Sequence, residues 1–199
     1  MTMTSPPRGA GAACSSGRWL KAAAACFACA LAAVSSAQVR DVAPVSATSV
    51  KAAFLYKFAS YVEWPLPADA ANAPITIGVA GAEPFAAELA EITRGRTVAG
   101  RAINVRRVTP DDSFDGLQIL FISNQARNGE RNLLANARSK PILTVTESAG
   151  ALADGSIINF TQDKDRVRFE ISLYAAEQSM LKLNSRLLAV ADAVHRGPE

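Results

Sequence analysis

Leu117 to Ser123 reads LQILFIS, almost without a polar interruption. A strand with one face in water alternates apolar and polar residues. One that is apolar on both sides must be covered on both sides, as in the centre of a parallel sheet. PILTVT (Pro141 to Thr146) has the same character. A chain with two such strands needs helices above and below a sheet, which is the layered α/β solution. The remaining strand signals agree. ITIGVA (Ile75 to Ala80) alternates, and INVRRV (Ile103 to Val108) predicts a further strand. SIINFT and RVRFEISL are separated by Gln162-Asp163-Lys164-Asp165, which predicts a hairpin.

Helical signals lie between these strands. In VKAAFLYKFASYVEWP (Val50 to Pro65), Val50, Phe54, Leu55, Phe58, Tyr61 and Val62 fall on one arc of a helical wheel. Trp64 precedes a proline, so the helix is expected to end there. Lys51 falls inside the apolar arc, where its stem can lie along the surface with its head in water. GAEPFAAELAEI carries Pro84 near a helix start, and Gly129 to Arg138 suits a helix. In TPDD (Thr109 to Asp112), a Thr cap followed by Pro predicts a short helical turn. From Tyr174 to Val194 the stripe Ala176, Met180, Leu183, Leu187, Val190, Ala191 and Val194 predicts one long helix. The expected fold is a single-domain α/β sandwich over residues 48–199. It has a mixed sheet of about five to six strands flanked by helices, a closing β-hairpin and a long C-terminal helix.

The N-terminus predicts export. Arg8, Arg18 and Lys21 precede 13 apolar residues, Ala22 to Val34, and then Ser35-Ser36-Ala37. This is the pattern of a signal peptide over 1–37, cleaved near Ala37, with a polar tail over 38–47. The apolar run is shorter than the ~20 residues of a membrane span. Removing the leader takes away three of the 21 basic residues and leaves 18 against 18 acidic, so nothing in the overall charge favours nucleic acid. Cys14, Cys26 and Cys29 leave with it, and an exported domain without disulfides must be held by its core.

The composition argues against most catalytic chemistry. His195, near the end of the sequence where fraying is expected, is the sole histidine. Without mature cysteines, neither a zinc site nor a histidine-activated nucleophile can be assembled. No GxGxxG or Walker pattern is present. Asp111, Asp112 and Asp115, and likewise Asp163 and Asp165, lie in turn contexts where Asp serves local hydrogen bonding. The expectation is a non-enzyme with no cofactor and no metal.

Surface features remain. In Arg166 to Leu173 the apolar residues alternate with Arg166, Arg168, Glu170 and Ser172, which gives either a half-solvated strand or a polar floor for an anion or a partner. RGRTVAGRAINVRR holds Arg94, Arg96, Arg101, Arg106 and Arg107 with no acid among them, as either a solvated loop or an anion- or headgroup-binding run. Tyr56 falls on the polar arc of the first helix and Trp64 ends it, and Tyr61 joins them as a candidate partner contact. Asn184, inside the C-terminal stripe, marks either a satisfied buried amide or a partner's face.

Three blocks in order, KAAFLYKFASYVEWP, the ADGSIINF segment within Ala151 to Phe160, and RVRFEISLYAAEQSMLKLNSRLLAVA, resemble the YfiR family over roughly Ser49 to Val194. The resemblance implies a periplasmic α/β domain, often dimeric. It implies a regulator that holds down an inner-membrane diguanylate cyclase by binding that enzyme's periplasmic part, and that an outer-membrane lipoprotein can sequester. The chain departs from the family pattern at four places. Asp154-Gly155 replaces Gly-Gly, Ser172 stands where Asn is common, Met180 stands where Gly is common, and the cysteine pairs of some members are missing. The family supplies no catalytic residues to transfer. Two rival functions stand beside a cyclic di-GMP regulator. One is a periplasmic module that binds an anionic metabolite through Arg94, Arg96, Arg166, Arg168 and Glu170. The other is a carboxylate-based hydrolase.

Overall fold

The computed structural model describes residues 46–65, 72–164 and 166–197, so the expected leader and nearly all of the 38–47 tail lie outside the described residues. Helix α1 (Ala47–Phe58) opens on Ser46, whose Oγ accepts the Ser49 N–H at 3.0 Å and so satisfies one of the orphan donors of a helix start. The helix ends at Phe58, well short of Pro65. Val62 is instead drawn into strand β1 (Val62–Glu63), buried and opposite Leu183.

Strand β2 (Ile75–Ala80) then starts the sheet, followed by α2 (Glu83–Thr93), β3 (Thr97–Val98), β4 (Arg101–Arg107), β5 (Ile119–Ile122), a 3-10 turn at Asn124–Ala126 and α3 (Arg127–Ala137). The chain continues through β6 (Leu143–Thr146), β7 (Ile158–Asp163) and β8 (Arg166–Ser172). All six strands expected from hydrophobic patterning are present. Among the described residues the sheet nevertheless has eight, in the order β10-β8-β7-β6-β5-β2-β4-β3, with β10 formed by Ala193–His195. The extra strands, β3 and β10, have two and three residues, too few to show a period. β3 pairs antiparallel with β4 through Ala99 and Gly100, both at positive φ, as a two-residue hairpin requires. Strands β4, β2, β5, β6 and β7 run parallel, and β8 returns antiparallel. In chain order the five parallel strands read 2-1-3-4-5, a doubly wound arrangement whose order reverses at β2. Thr109 to Asp112 forms a turn rather than a helix, with Asp112 Oδ2 accepting from Thr109 N at 2.7 Å and from its Oγ1 at 2.9 Å.

The two faces of the sheet differ. One is apolar from edge to edge. Ile75, Ile77, Val79, Ile119, Phe121, Leu143, Val145, Ile158, Phe160, Phe169 and Ile171 form one core with Leu55 and Phe58 of α1 and with Phe85 and Leu89 of α2. The Phe58 ring lies 5.9 Å from Phe160 and 5.1 Å from Phe169, in stacked and edge-on geometry respectively. The other face is apolar only at its centre, where Ala80, Leu120 and Ile122 meet Leu133, Leu134 and Ala137 of α3.

The expected helix from Tyr174 to Val194 does not form. It is divided into α4 (Leu173–Gln178), β9 (Lys182–Leu183), α5 (Ser185–Ala189) and β10 (Ala193–His195). Met180 is the reason. It adopts φ +56, and its N–H bonds Glu177 O at 2.9 Å while Leu181 N–H reaches back to Ala176 O at 3.0 Å. This pair of bonds is a Schellman motif, which ends a helix. Leu181 is then buried and Met180 exposed, the reverse of the stripe's requirement. Asn184 Oδ1 next caps α5 by accepting from Arg186 N at 2.9 Å. The helical spacing of the apolar residues is coincidental. β9 pairs with β1, and β10 runs parallel to β8 at the sheet's edge.

Met180→Gly removes a left-handed strain at an exposed site and is expected to raise stability by about 1 kcal/mol in urea unfolding. Phe58→Ala, at the centre of the aromatic cluster, is expected to cost about 3–5 kcal/mol in the same assay.

Candidate functional site

Away from α3, the second face of the sheet turns polar. The register puts Asn159 beside Glu170, Thr161 beside Arg168 and Asp163 beside Arg166. On the outer side β10 places His195 beside Ser172. Arg166 is exposed, and Arg168, Glu170 and His195 are half-buried. Glu170 Oε2 lies 3.8 Å from His195 Nε2, an ion pair when the imidazole is protonated. His195 therefore belongs to a paired strand, contrary to the expectation of fraying. A hollow of about 200 Å³ opens on this side between α3 and α4, lined by Thr144, Ser172, Arg138 and Tyr174.

The side chains of the inner part of this polar half hydrogen-bond one another. Thr146 Oγ1 contacts Ser156 Oγ and Asn159 Oδ1, each at 2.9 Å, and Ile157 N donates to Thr144 Oγ1 at 3.0 Å. Ser148 Oγ donates to the buried Glu130 at 2.6 Å. Gly155 supplies φ +102, a conformation open essentially to glycine, and Ser156 follows it into the network. The ADGSIINF segment is thus a structural device. It turns the chain sharply and pins the start of β7 with side-chain hydroxyls.

The arginine run does not converge. Arg94 pairs with Glu91 at 2.5 Å, Arg106 donates to Ser113 O at 2.7 Å, and Arg107 pairs with Glu83. Arg101 is buried and donates to Ala73 O at 2.5 Å. Arg96 lies over the Tyr56 ring, 5.4 Å from its centroid, and this is the one place where the run meets the aromatic candidates. Tyr56, Tyr61 and Trp64 are half-buried against the core. Trp64 Nε1 donates to Gln118 O at 3.2 Å, and the Tyr61 carbonyl accepts from Asn184 N at 2.9 Å. Asn184 is exposed, and its side chain is occupied as a helix cap.

Patterning missed one charged cluster. Lys51 does not reach into water. Its Nζ is 2.5 Å from Glu147 Oε2, and the other carboxylate oxygen accepts from Ser123 Oγ at 2.9 Å and Asn124 N at 3.0 Å. The available signal was positional, because Ser123 and Glu147 immediately follow the two most apolar strands, at their carboxyl ends. Of the carboxylates named earlier, Asp112 serves its turn, Asp163 ends β7, and Asp165 lies outside the described residues. Backbone and side-chain hydrogen bonds from Thr109 hold the Asp112 carboxyl below its ordinary range. Among the described residues no three His, Cys, Asp or Glu side chains gather as a metal site, and no helix is long and apolar enough to cross a membrane.

Together these features define a layered α/β domain whose distinguishing groups lie on a polar sheet face and at strand ends. Residues 48–192 match the YfiR/HmsC-like family, and the chain belongs to it. That family is periplasmic, regulatory rather than catalytic, and associated with membrane diguanylate cyclases, whose cyclic di-GMP signalling it controls. A crystal structure of a conserved domain protein from Vibrio cholerae O1 biovar El Tor is similar, with a TM-score of 0.47 and 12% identity over 75% of this chain. The match spans 60% of that protein. No curated protein matches the chain significantly.

Thr146→Val strands Asn159 Oδ1 in the buried network and is expected to cost about 1–3 kcal/mol in chemical denaturation. Lys51→Met leaves Glu147 without its cation. For a pair that is still partly solvated, the expected loss is about 1–3 kcal/mol.

Proposed function

We propose that this chain is an exported regulator that binds the periplasmic part of an inner-membrane diguanylate cyclase and restrains it. The observation that carries the reading is family membership across residues 48–192. The leader is removed near Ala37, and the remaining domain acts in the periplasm as a monomer or homodimer, releasable by an outer-membrane lipoprotein. The open polar face supports a role in contact. Arg166 and Arg168 present charge on a rigid strand, Glu170 lies beside them, and none of the three is needed to fill the core. Steering by such charges sets partner choice and association rate. Tyr56 with Arg96, and the ribbon region around Tyr61, Trp64 and Asn184, offer a second contact area on another part of the domain.

Deleting the gene is expected to raise cellular cyclic di-GMP several-fold, measured by mass spectrometry of nucleotide extracts; an unchanged level overturns the regulatory role. The double substitution Arg166→Glu, Arg168→Glu is expected to weaken capture of the neighbouring cyclase's periplasmic part by about tenfold or more while leaving Tm within about 2 °C. Retained capture would remove this face from the interface.

A further inference from the structure

We infer that the cleft at the carboxyl ends of β5 and β6 binds a small aliphatic α-amino acid, held as a zwitterion by Lys51 and Glu147. In open parallel sheets, ligands sit outside the carboxyl ends of the strands, where the strand order reverses. Here the order reverses at β2, between β4 and β5. A cleft of about 180 Å³ lies beside that point, lined by Thr48, Lys51, Phe85, Phe121, Ser123 and Glu147. The ion pair is mostly shielded, with 21% of the Lys51 side chain and 11% of that of Glu147 exposed.

Hydrogen-bond capacity identifies the ligand. A carboxylate offers about four acceptor sites and an ammonium three donors. Glu147 Oε1 uses both of its sites on Ser123 Oγ and Asn124 N, and Oε2 uses one on Lys51. One acceptor and two donors remain. A lone anion would face Glu147 and a lone cation would face Lys51. A molecule carrying both charges a short distance apart satisfies both groups. Its carboxylate takes the free Lys51 donors, at the start of α2, which no side chain caps. Its ammonium takes the remaining lone pair of Glu147. Phe85 and Phe121, with rings 4.5 Å apart, supply an apolar wall for a short aliphatic side chain. A largely shielded charge pair is in itself weak stabilisation, and this one borders an open cleft at the switch point, a placement that fits a binding role. The inference does not depend on the cyclase-binding reading.

The test is a thermal-shift screen of the purified protein against the twenty proteinogenic amino acids, with acetate and ethylamine as the two half-ligands, each at about 10 mM. At least one small aliphatic amino acid is expected to raise Tm by about 2 °C or more, with calorimetric saturation at one site, while the half-ligands do nothing. Lys51→Met and Glu147→Gln should each abolish the shift. Thr48→Phe, which fills the mouth and leaves the ion pair in place, should abolish it as well and decides the matter if the charge variants fail to fold. The inference is overturned if no amino acid shifts Tm, if acetate alone matches the best amino acid, or if Thr48→Phe binds as well as the unaltered protein.

Discussion

Five neighbouring parallel strands must be covered on both faces, and the described residues hold enough apolar helix to cover one face and part of the other. α1, α2 and the buried leucines Leu181 and Leu187 complete the first face. Among the described residues α3 alone serves the second. The sheet is stable because its composition changes where α3 ends. Across β6, β7, β8 and β10 the residues on that side become Thr144, Thr146, Asn159, Thr161, Arg168, Glu170 and His195. Those closest to α3 are buried and hydrogen-bond one another, and those further out meet water. An apolar face of that extent, left uncovered, would be a site of aggregation. The polar substitution avoids that hazard and provides a rigid, charged surface with no loop to order on binding.

At two of the positions where the sequence departs from the pattern that the YfiR resemblance implies, the backbone accounts for the residue present. Ser172, where Asn is common, accepts from Ala175 N at 3.2 Å at the start of α4, a role that either residue performs. Met180, where Gly is common, holds the left-handed geometry that a glycine adopts without strain. A glycine expected there from the resemblance would serve helix termination, and the methionine keeps that turn at some cost.

Much of the fold was legible in the residues. Strands of four or more residues showed themselves by apolar runs or alternation, and the hairpin of β7 and β8 by its polar turn. The C-terminal segment was misread because Ala176, Met180, Leu183 and Leu187 fall at helical spacing, and spacing carries no information about the sign of φ at Met180. The first helix was drawn too long because Val62 fits a helical arc and a strand equally well. The polar face of β8 was visible as alternation. The Lys51–Glu147 pair was not, because its members are 96 positions apart and meet only when α1 lies across the ends of the strands. The arginines formed a run in the sequence and separated in space, since β4 sends neighbouring residues to opposite faces.

The small ribbon of β1 and β9 has a kinetic implication. Val62 pairs with Leu183, so the two residues of β1, just beyond the first helix, are secured by a segment 121 positions later in the chain. Contacts of such long range are slow to form, because the loop must close before any stabilisation follows. Until β9 arrives, Phe54 and Phe58 have only the unfinished sheet to pack against. A chain passing through a membrane in extended form would thus spend time with its most aromatic segment uncovered, and escort by a holding chaperone would matter most in that interval.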